Sequence, residues 1–242
     1  MLRNRFLLAT SLAFAFTQAS PALAGWSGKN GWSGQAEVGG LFARGNTDAD
    51  TLNAKSRMRF EEESWRYTVQ LEALNRAEDG TTTAERYLGS GQADWKFTNN
   101  DYLFGVVRYE KDRFKGYDYQ LSEAVGYGRR LLDGPTHELD AEIGAGARQV
   151  KMLSGERDRE AIIRGALSWK WRMTDSTRLG EDLLIQSGAD NTEIESVLSL
   201  TTQMHRQLAV RLSFTVKHQT DVPPNKENTD TITAISLVYD LW

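Results

Sequence analysis

Cysteine is absent from all 242 residues. No disulfide can hold the fold together, and no cysteine offers a site for a lipid anchor. No run of about 20 apolar residues occurs either, which excludes a membrane-spanning helix. With 40% hydrophobic and 26% charged residues and a mean hydropathy of −0.52, the bulk composition is that of a soluble protein. A β-barrel escapes this exclusion, because only alternate residues of a barrel strand meet lipid. A basic patch interleaved with aromatics is also missing, and the net charge of −4 argues against a nucleic-acid partner. The three histidines, His137, His205 and His218, have no metal-ligand spacing, so neither a zinc or iron site nor any other cofactor is expected.

The first 24 residues read as an export signal. Arg3 and Arg5 give a positive start, Phe6 to Phe16 an apolar stretch, and Ala22-Leu23-Ala24 a small-x-small cleavage site. Residues 1–24 are therefore expected to be a signal peptide and 25–242 one folded domain.

That domain is a succession of period-two segments. Trp65, Tyr67, Val69, Leu71 and Ala73 oppose Arg66, Thr68, Gln70 and Glu72, and Leu208, Val210, Leu212, Phe214 and Val216 oppose Gln207, Arg211, Ser213 and Lys217. About twelve strands follow from this pattern, near 32–44, 50–61, 64–77, 84–97, 102–113, 118–131, 137–150, 160–173, 177–188, 191–202, 206–219 and 230–242. Each is about twice as long as the strands of soluble proteins and close to what a tilted strand needs to cross a bilayer. Short turns such as Glu61-Glu62-Glu63 and Asp133-Gly134-Pro135 alternate with looser segments at Glu78 to Thr83, Lys151 to Arg159 and Thr220 to Thr229. The expected fold is all-β: a transmembrane, antiparallel, up-and-down β-barrel of about twelve strands with periplasmic turns and outer loops. Trp26, Trp32, Trp65, Trp95, Trp169, Trp171, Tyr239 and Trp242 fall near strand ends, where aromatic girdles sit. Glu123 and Glu181 interrupt apolar faces, which predicts a bulge or register shift at each. Ile235, Leu237 and Tyr239 alternate toward an aromatic end, with Leu241 in register and Trp242 one residue beyond it.

Several segments carry a family resemblance. Gly31-Trp32-Ser33-Gly34 and Gly45-Asn46-Thr47-Asp48 are followed by Leu103-Phe104-Gly105, Arg108 to Phe114, Gly116-Tyr117-Asp118-Tyr119, Gly126-Tyr127-Gly128 and Leu237-Val238-Tyr239-Asp240. In this order and spacing the chain resembles the family of salt-induced outer-membrane proteins, over essentially the whole of 25–242. The resemblance implies an outer-membrane barrel linked to salt or osmotic stress, and it carries over no catalytic residue.

The polar faces hold the candidate site. Arg108, Glu110 and Asp112 share one face of the densest charged run and are the candidate lumen constriction, near the outer mouth. The alternative for this run is an ion-pair network that fixes the register of the fifth and sixth strands. Glu138, Asp140 and Glu142 form an acidic column beside a strand carrying Arg164, Lys170 and Arg172, a charge ladder expected to pair across the strands. Either such ladders close the lumen, or the charges line a narrow polar channel; twelve strands lie between filled and open barrels, so strand number does not decide.

Asn46-Thr47-Asp48-Ala49-Asp50 alternates oxygen ligands, but Thr51 stands where a calcium loop needs glycine, so a hairpin turn is expected. Ser213 and His218 have opposite parity and cannot form a catalytic pair directly. The chain is thus expected not to be an enzyme, with an outer-membrane lipid-modifying activity as the remote alternative. A small passive channel or envelope-stress protein for small polar or ionic solutes leads, and a structural, non-conducting barrel supporting envelope integrity is second. The expected partners are outer-membrane lipids, the barrel-assembly machinery during insertion, and small solutes.

Overall fold

A computed structural model describes residues 31–43, 49–78, 81–112, 117–222 and 227–241. The signal segment, the Gly45 to Asp48 turn, Trp26, Arg113, Phe114, Gly116 and Trp242 lie outside these residues. Twelve strands follow one another: β1 (Trp32–Ala43), β2 (Ala49–Glu61), β3 (Trp65–Glu78), β4 (Thr81–Lys96), β5 (Asp101–Asp112), β6 (Tyr117–Asp133), β7 (His137–Met152), β8 (Arg157–Arg172), β9 (Thr177–Ser187), β10 (Thr192–His205), β11 (Leu208–Gln219) and β12 (Thr229–Asp240). Each pairs antiparallel with its sequence neighbour, and β1 pairs with β12, so the sheet closes on itself. Closure removes the free edges that would otherwise template aggregation. The β1–β12 seam is short, running from Gln35↔Asp240 to Gly39↔Ser236.

Alternation sorts the side chains as the sequence pattern predicts. Val125 is 69%, Ile143 63% and Ile163 64% exposed on the outer wall, while Glu37, Arg66, Arg86, Asp94, Glu110 and Arg148 are buried inside. An apolar exterior around a charged interior inverts the arrangement of a soluble protein, and a continuous apolar belt of this size requires lipid rather than water against it. Among the described residues no helix is long and apolar enough to cross a membrane; the strands do so instead.

One end of the barrel carries the tight turns at 62–64, 97–100, 134–136, 173–176 and 206–207. Its outer rim is aromatic. Trp65 stacks on Tyr67 at 5.9 Å, while Trp32 meets Phe60 at 4.9 Å and Trp95 meets Phe97 at 6.0 Å with tilted rings. His137 stacks on both Trp169 and Trp171. The expected girdle is therefore present, and the tryptophans of the described residues all gather at this turn end. At the loop end the belt is tyrosine, with Tyr109 stacked on Tyr119 at 5.8 Å.

Two expectations are corrected. Glu123 and Glu181 sit in regular register, opposite Val107 and Ala147 and opposite Trp169 and Leu198. No bulge turns them inward. Instead they stay on the outer wall with polar partners, Glu123 3.9 Å from Arg159 and Glu181 accepting from Ser196 Oγ at 2.6 Å. The register shifts fall near strand ends, at Arg76/Ala77, Tyr117/Tyr119, Arg130/Leu132 and Gln203/His205. The looser segments at Glu78 to Thr83 and Lys151 to Arg159 are also mostly strand. Above the lipid both faces of a strand meet water, so backbone pairing continues where the apolar alternation has stopped.

The lumen wall is shaped by one close approach. Phe104 of β5 lies over Gly126 of β6 and Gly144 of β7. A Cβ at Gly126 would stand 2.6 Å from the Cα of Gly144 and 2.7 Å from the Phe104 ring. Gly126→Val is expected to lower barrel stability by about 1–3 kcal/mol, read from urea unfolding in phospholipid vesicles. Gly91→Val, where a Cβ meets nothing within 4 Å, is the control and should leave stability unchanged or raised.

Candidate functional site

The lumen is crossed by ion pairs between opposite walls. In the closed ring, β4 lies six strands from β10, and β5 six from β11. Arg86 of β4 approaches Glu195 of β10 at 3.5 Å, and Lys217 of β11 approaches Glu110 of β5 at 2.9 Å. Arg108 of β5 reaches Glu195 at 2.6 Å and Glu110 at 3.2 Å. Lys217 also lies 3.5 Å from Glu195, its direct register partner, while Arg86 lies 3.1 Å from Glu110 and 3.8 Å from Glu72. Three cations and three carboxylates thus form one lattice across the barrel. Tyr117 donates to Glu110 beside it, at 3.4 Å.

Among the described residues, the members of this barrier are side chains of strands β3, β4, β5, β10 and β11. The lattice separates a space bordered by Tyr117, Gln186 and Glu193 from one bordered by Asn53, Ser213 and Thr215. Beside it Arg148, 1% exposed, pairs with Glu160 at 2.5 Å and Glu193 at 3.4 Å and donates to the Asn191 carbonyl at 2.6 Å. Nearer the turn end Arg66 pairs with Asp94 at 2.5 Å and covers the Tyr102 ring at 4.5 Å. Arg164 covers the Phe104 ring at 5.0 Å. Buried charges are tolerable when paired and hydrogen-bonded; every member of the lattice meets an opposite charge, while Arg86 Nε and Nη2 lack a hydrogen-bond partner among the described residues.

The three residues of the candidate constriction all face the lumen in the loop half of β5. Arg108 and Glu110 join the lattice, and Asp112, buried opposite Arg86, lies one step further toward the loops. Between the fifth and sixth strands the network makes the Tyr117–Glu110 hydrogen bond; its ionic partners lie on β4 and, across the lumen, on β10 and β11. Sequence parity places Glu195 and Lys217 on the inner face. Only the ring order, which sets β10 and β11 opposite β4 and β5, makes them partners of Arg86, Arg108 and Glu110.

The charge ladder is partly as expected. Glu142 pairs with Arg164 at 2.7 Å and Glu138 with Lys170 at 3.4 Å. Asp140 does not pair with β8, where its register partner is Ser168; it turns to Arg130 of β6 at 2.9 Å. Arg172 lies past the last β7 partner and opposite Arg178 of β9, and joins no ion pair among the described residues. Ser213 is buried inside, and His218, on the opposite face, bonds Thr229, so the two form no catalytic pair. Among the described residues no cluster of His, Asp or Glu could hold a metal ion.

The fold is shared with outer-membrane barrels. The NanC porin superposes with a TM-score of 0.54 at 10% identity, covering 85% of this chain and 98% of that one. The COG4313 outer membrane channel from Pseudomonas putida F1 superposes with a TM-score of 0.53 at 10% identity, covering 93% of this chain and all of that one. By sequence the chain is 26% identical to the uncharacterized protein YdiY of Escherichia coli (strain K12) over 216 residues, 89% of this chain and 85% of that protein. Residues 36–241, nearly the whole barrel, match one family model. The chain therefore belongs to the family described as protein of unknown function, DUF481.

Proposed function

We propose that the chain is a passive outer-membrane channel for small polar or ionic solutes, and that the lattice of Glu72, Arg86, Arg108, Glu110, Glu195 and Lys217 is its selective constriction. The observation that carries this reading is the lattice itself. A lumen that only had to be filled would be as stable, or more so, with apolar side chains in place of buried ion pairs. Charges kept along the whole lumen suit a path for water and ions, and side chains can yield where a backbone plug cannot. In this reading the signal segment exports the chain, the assembly machinery inserts it, and lipid holds the apolar belt. The salt-stress association implied by the family resemblance would concern when the channel is made, not how it works.

A second reading keeps the same observation: ion pairs that span the lumen suit a closed, structural barrel supporting the envelope. Planar-bilayer recording of the refolded mature barrel separates the two. The channel reading expects steady conductance, and a changed ion selectivity in the Arg108→Ala/Glu110→Ala variant. Silence from barrels known to be folded and inserted would leave the structural reading ahead.

A further inference from the structure

The turn-end mouth of the lumen holds arginines that the ion pairs do not use. Arg57 faces inward between Gln35 of β1 and Gln70 of β3, and it donates to Gln70 Oε1 at 2.9 Å. Arg59, one step nearer the mouth, lies between Ser33 and Thr68. Neither has a carboxylate as cross-strand neighbour. On the opposite wall, six strands round the ring, Arg172 stands directly across from Arg178. Like charges directly opposed in a sheet are destabilising, and among the described residues no carboxylate pairs with Arg172. Four carboxylates of this region are engaged by other cations: Glu61 by Lys96 at 2.9 Å, Glu138 by Lys170 at 3.4 Å, Asp140 by Arg130 at 2.9 Å, and Glu37 by Arg211 at 2.7 Å; Asp240 accepts from Gln35 at 2.8 Å and Asp182 from Ser168 at 2.7 Å. Arg59 lies within electrostatic reach of Lys170 from across the lumen, and of Glu61 and Asp140. Thus Arg57, Arg59 and Arg172 present guanidinium groups to the lumen with no carboxylate bound to any of them among the described residues.

We propose that this mouth binds a small multivalent oxyanion bearing phosphate or carboxylate groups, held by Arg57 and Arg59 on one wall and Arg172 on the other. Planar guanidinium forks match such oxygens in pairs, and an ion of two or more charges satisfies cations on both walls at once. The proposal deepens the channel reading, on which it rests only in taking this mouth as open to water.

The test is calorimetric titration of the refolded mature barrel in detergent with pyrophosphate as the probe. Saturable binding is expected, weakened by about tenfold or more in Arg57→Gln/Arg59→Gln, and weakened less in Arg57→Lys/Arg59→Lys, which keeps the charge and loses the fork. Arg159→Gln, on the outer wall at the loop end, should bind as the parent does. If the double variant fails to fold, Arg172→Gln alone carries the test, with weaker binding expected. No saturable binding by the folded parent, or equal binding by the folded glutamine variant, overturns the site. A barrel silent in planar bilayers that still binds pyrophosphate keeps the site and loses the channel. A conducting barrel that does not bind loses the site alone.

Discussion

Replacing Arg148 with alanine is expected to destabilise the folded barrel by about 3–5 kcal/mol. The side chain is 1% exposed and sits between Glu160 of β8, Glu193 of β10 and the Asn191 carbonyl. Its removal leaves two carboxylates in a space that water enters poorly, and the penalty is their lost compensation more than the lost attraction. The measurement is urea unfolding in phospholipid vesicles followed by tryptophan fluorescence. A change below about 1 kcal/mol would mean that water replaces the guanidinium freely, as at an exposed pair. Arg148→Met combined with Glu160→Gln and Glu193→Gln should recover most of the loss, since no charge is then left alone.

The second large effect belongs to Glu195, the carboxylate met by Arg86, Arg108 and Lys217. Glu195→Gln keeps the shape and removes one negative charge from among three cations. If ions pass this level, the anion-over-cation permeability ratio should rise by about tenfold or more. A unit charge about 4 Å away is worth up to a few kcal/mol at an effective dielectric of about 20, and about 1.4 kcal/mol is a factor of ten. The readout is the reversal potential across a potassium chloride gradient. An unchanged ratio in a conducting barrel would take Glu195 off the ion path and move the constriction elsewhere.

Much of the architecture is legible in the chain because lipid imposes a period of two that water does not. The runs at 65–73 and 208–216 announce which residues face outward, and the observed strands begin and end within a few residues of that pattern, except where they rise beyond the bilayer. Glu123 and Glu181 were misread for the same reason. Periodicity treats an acid on an apolar face as an error to be absorbed by a bulge, whereas Arg159 and Ser196, brought alongside by register, supply partners that no local pattern records. The candidate site was half legible. Parity alone turns Arg108 and Glu110 inward, but their partners on β10 and β11 are 87 and 107 residues away in the chain. Arg172 shows the converse limit. A column of acids beside a column of bases suggests a full ladder, but β7 begins at His137, opposite Trp171, so the ladder stops one residue short of Arg172.

The closed ring also bears on the order of events in folding. Every strand pairing but one joins neighbours in sequence; only the β1–β12 seam brings together residues about 200 apart, as in the Gln35–Asp240 bond with a separation of 205. Hairpins can therefore form locally and early, and the entropy of long-range closure falls on a single late step. The ion pairs between opposite walls need that step first, because an open sheet holds β4 and β10 apart. They should accordingly slow unfolding while leaving the folding rate nearly untouched, which makes them a source of kinetic persistence rather than guides for assembly.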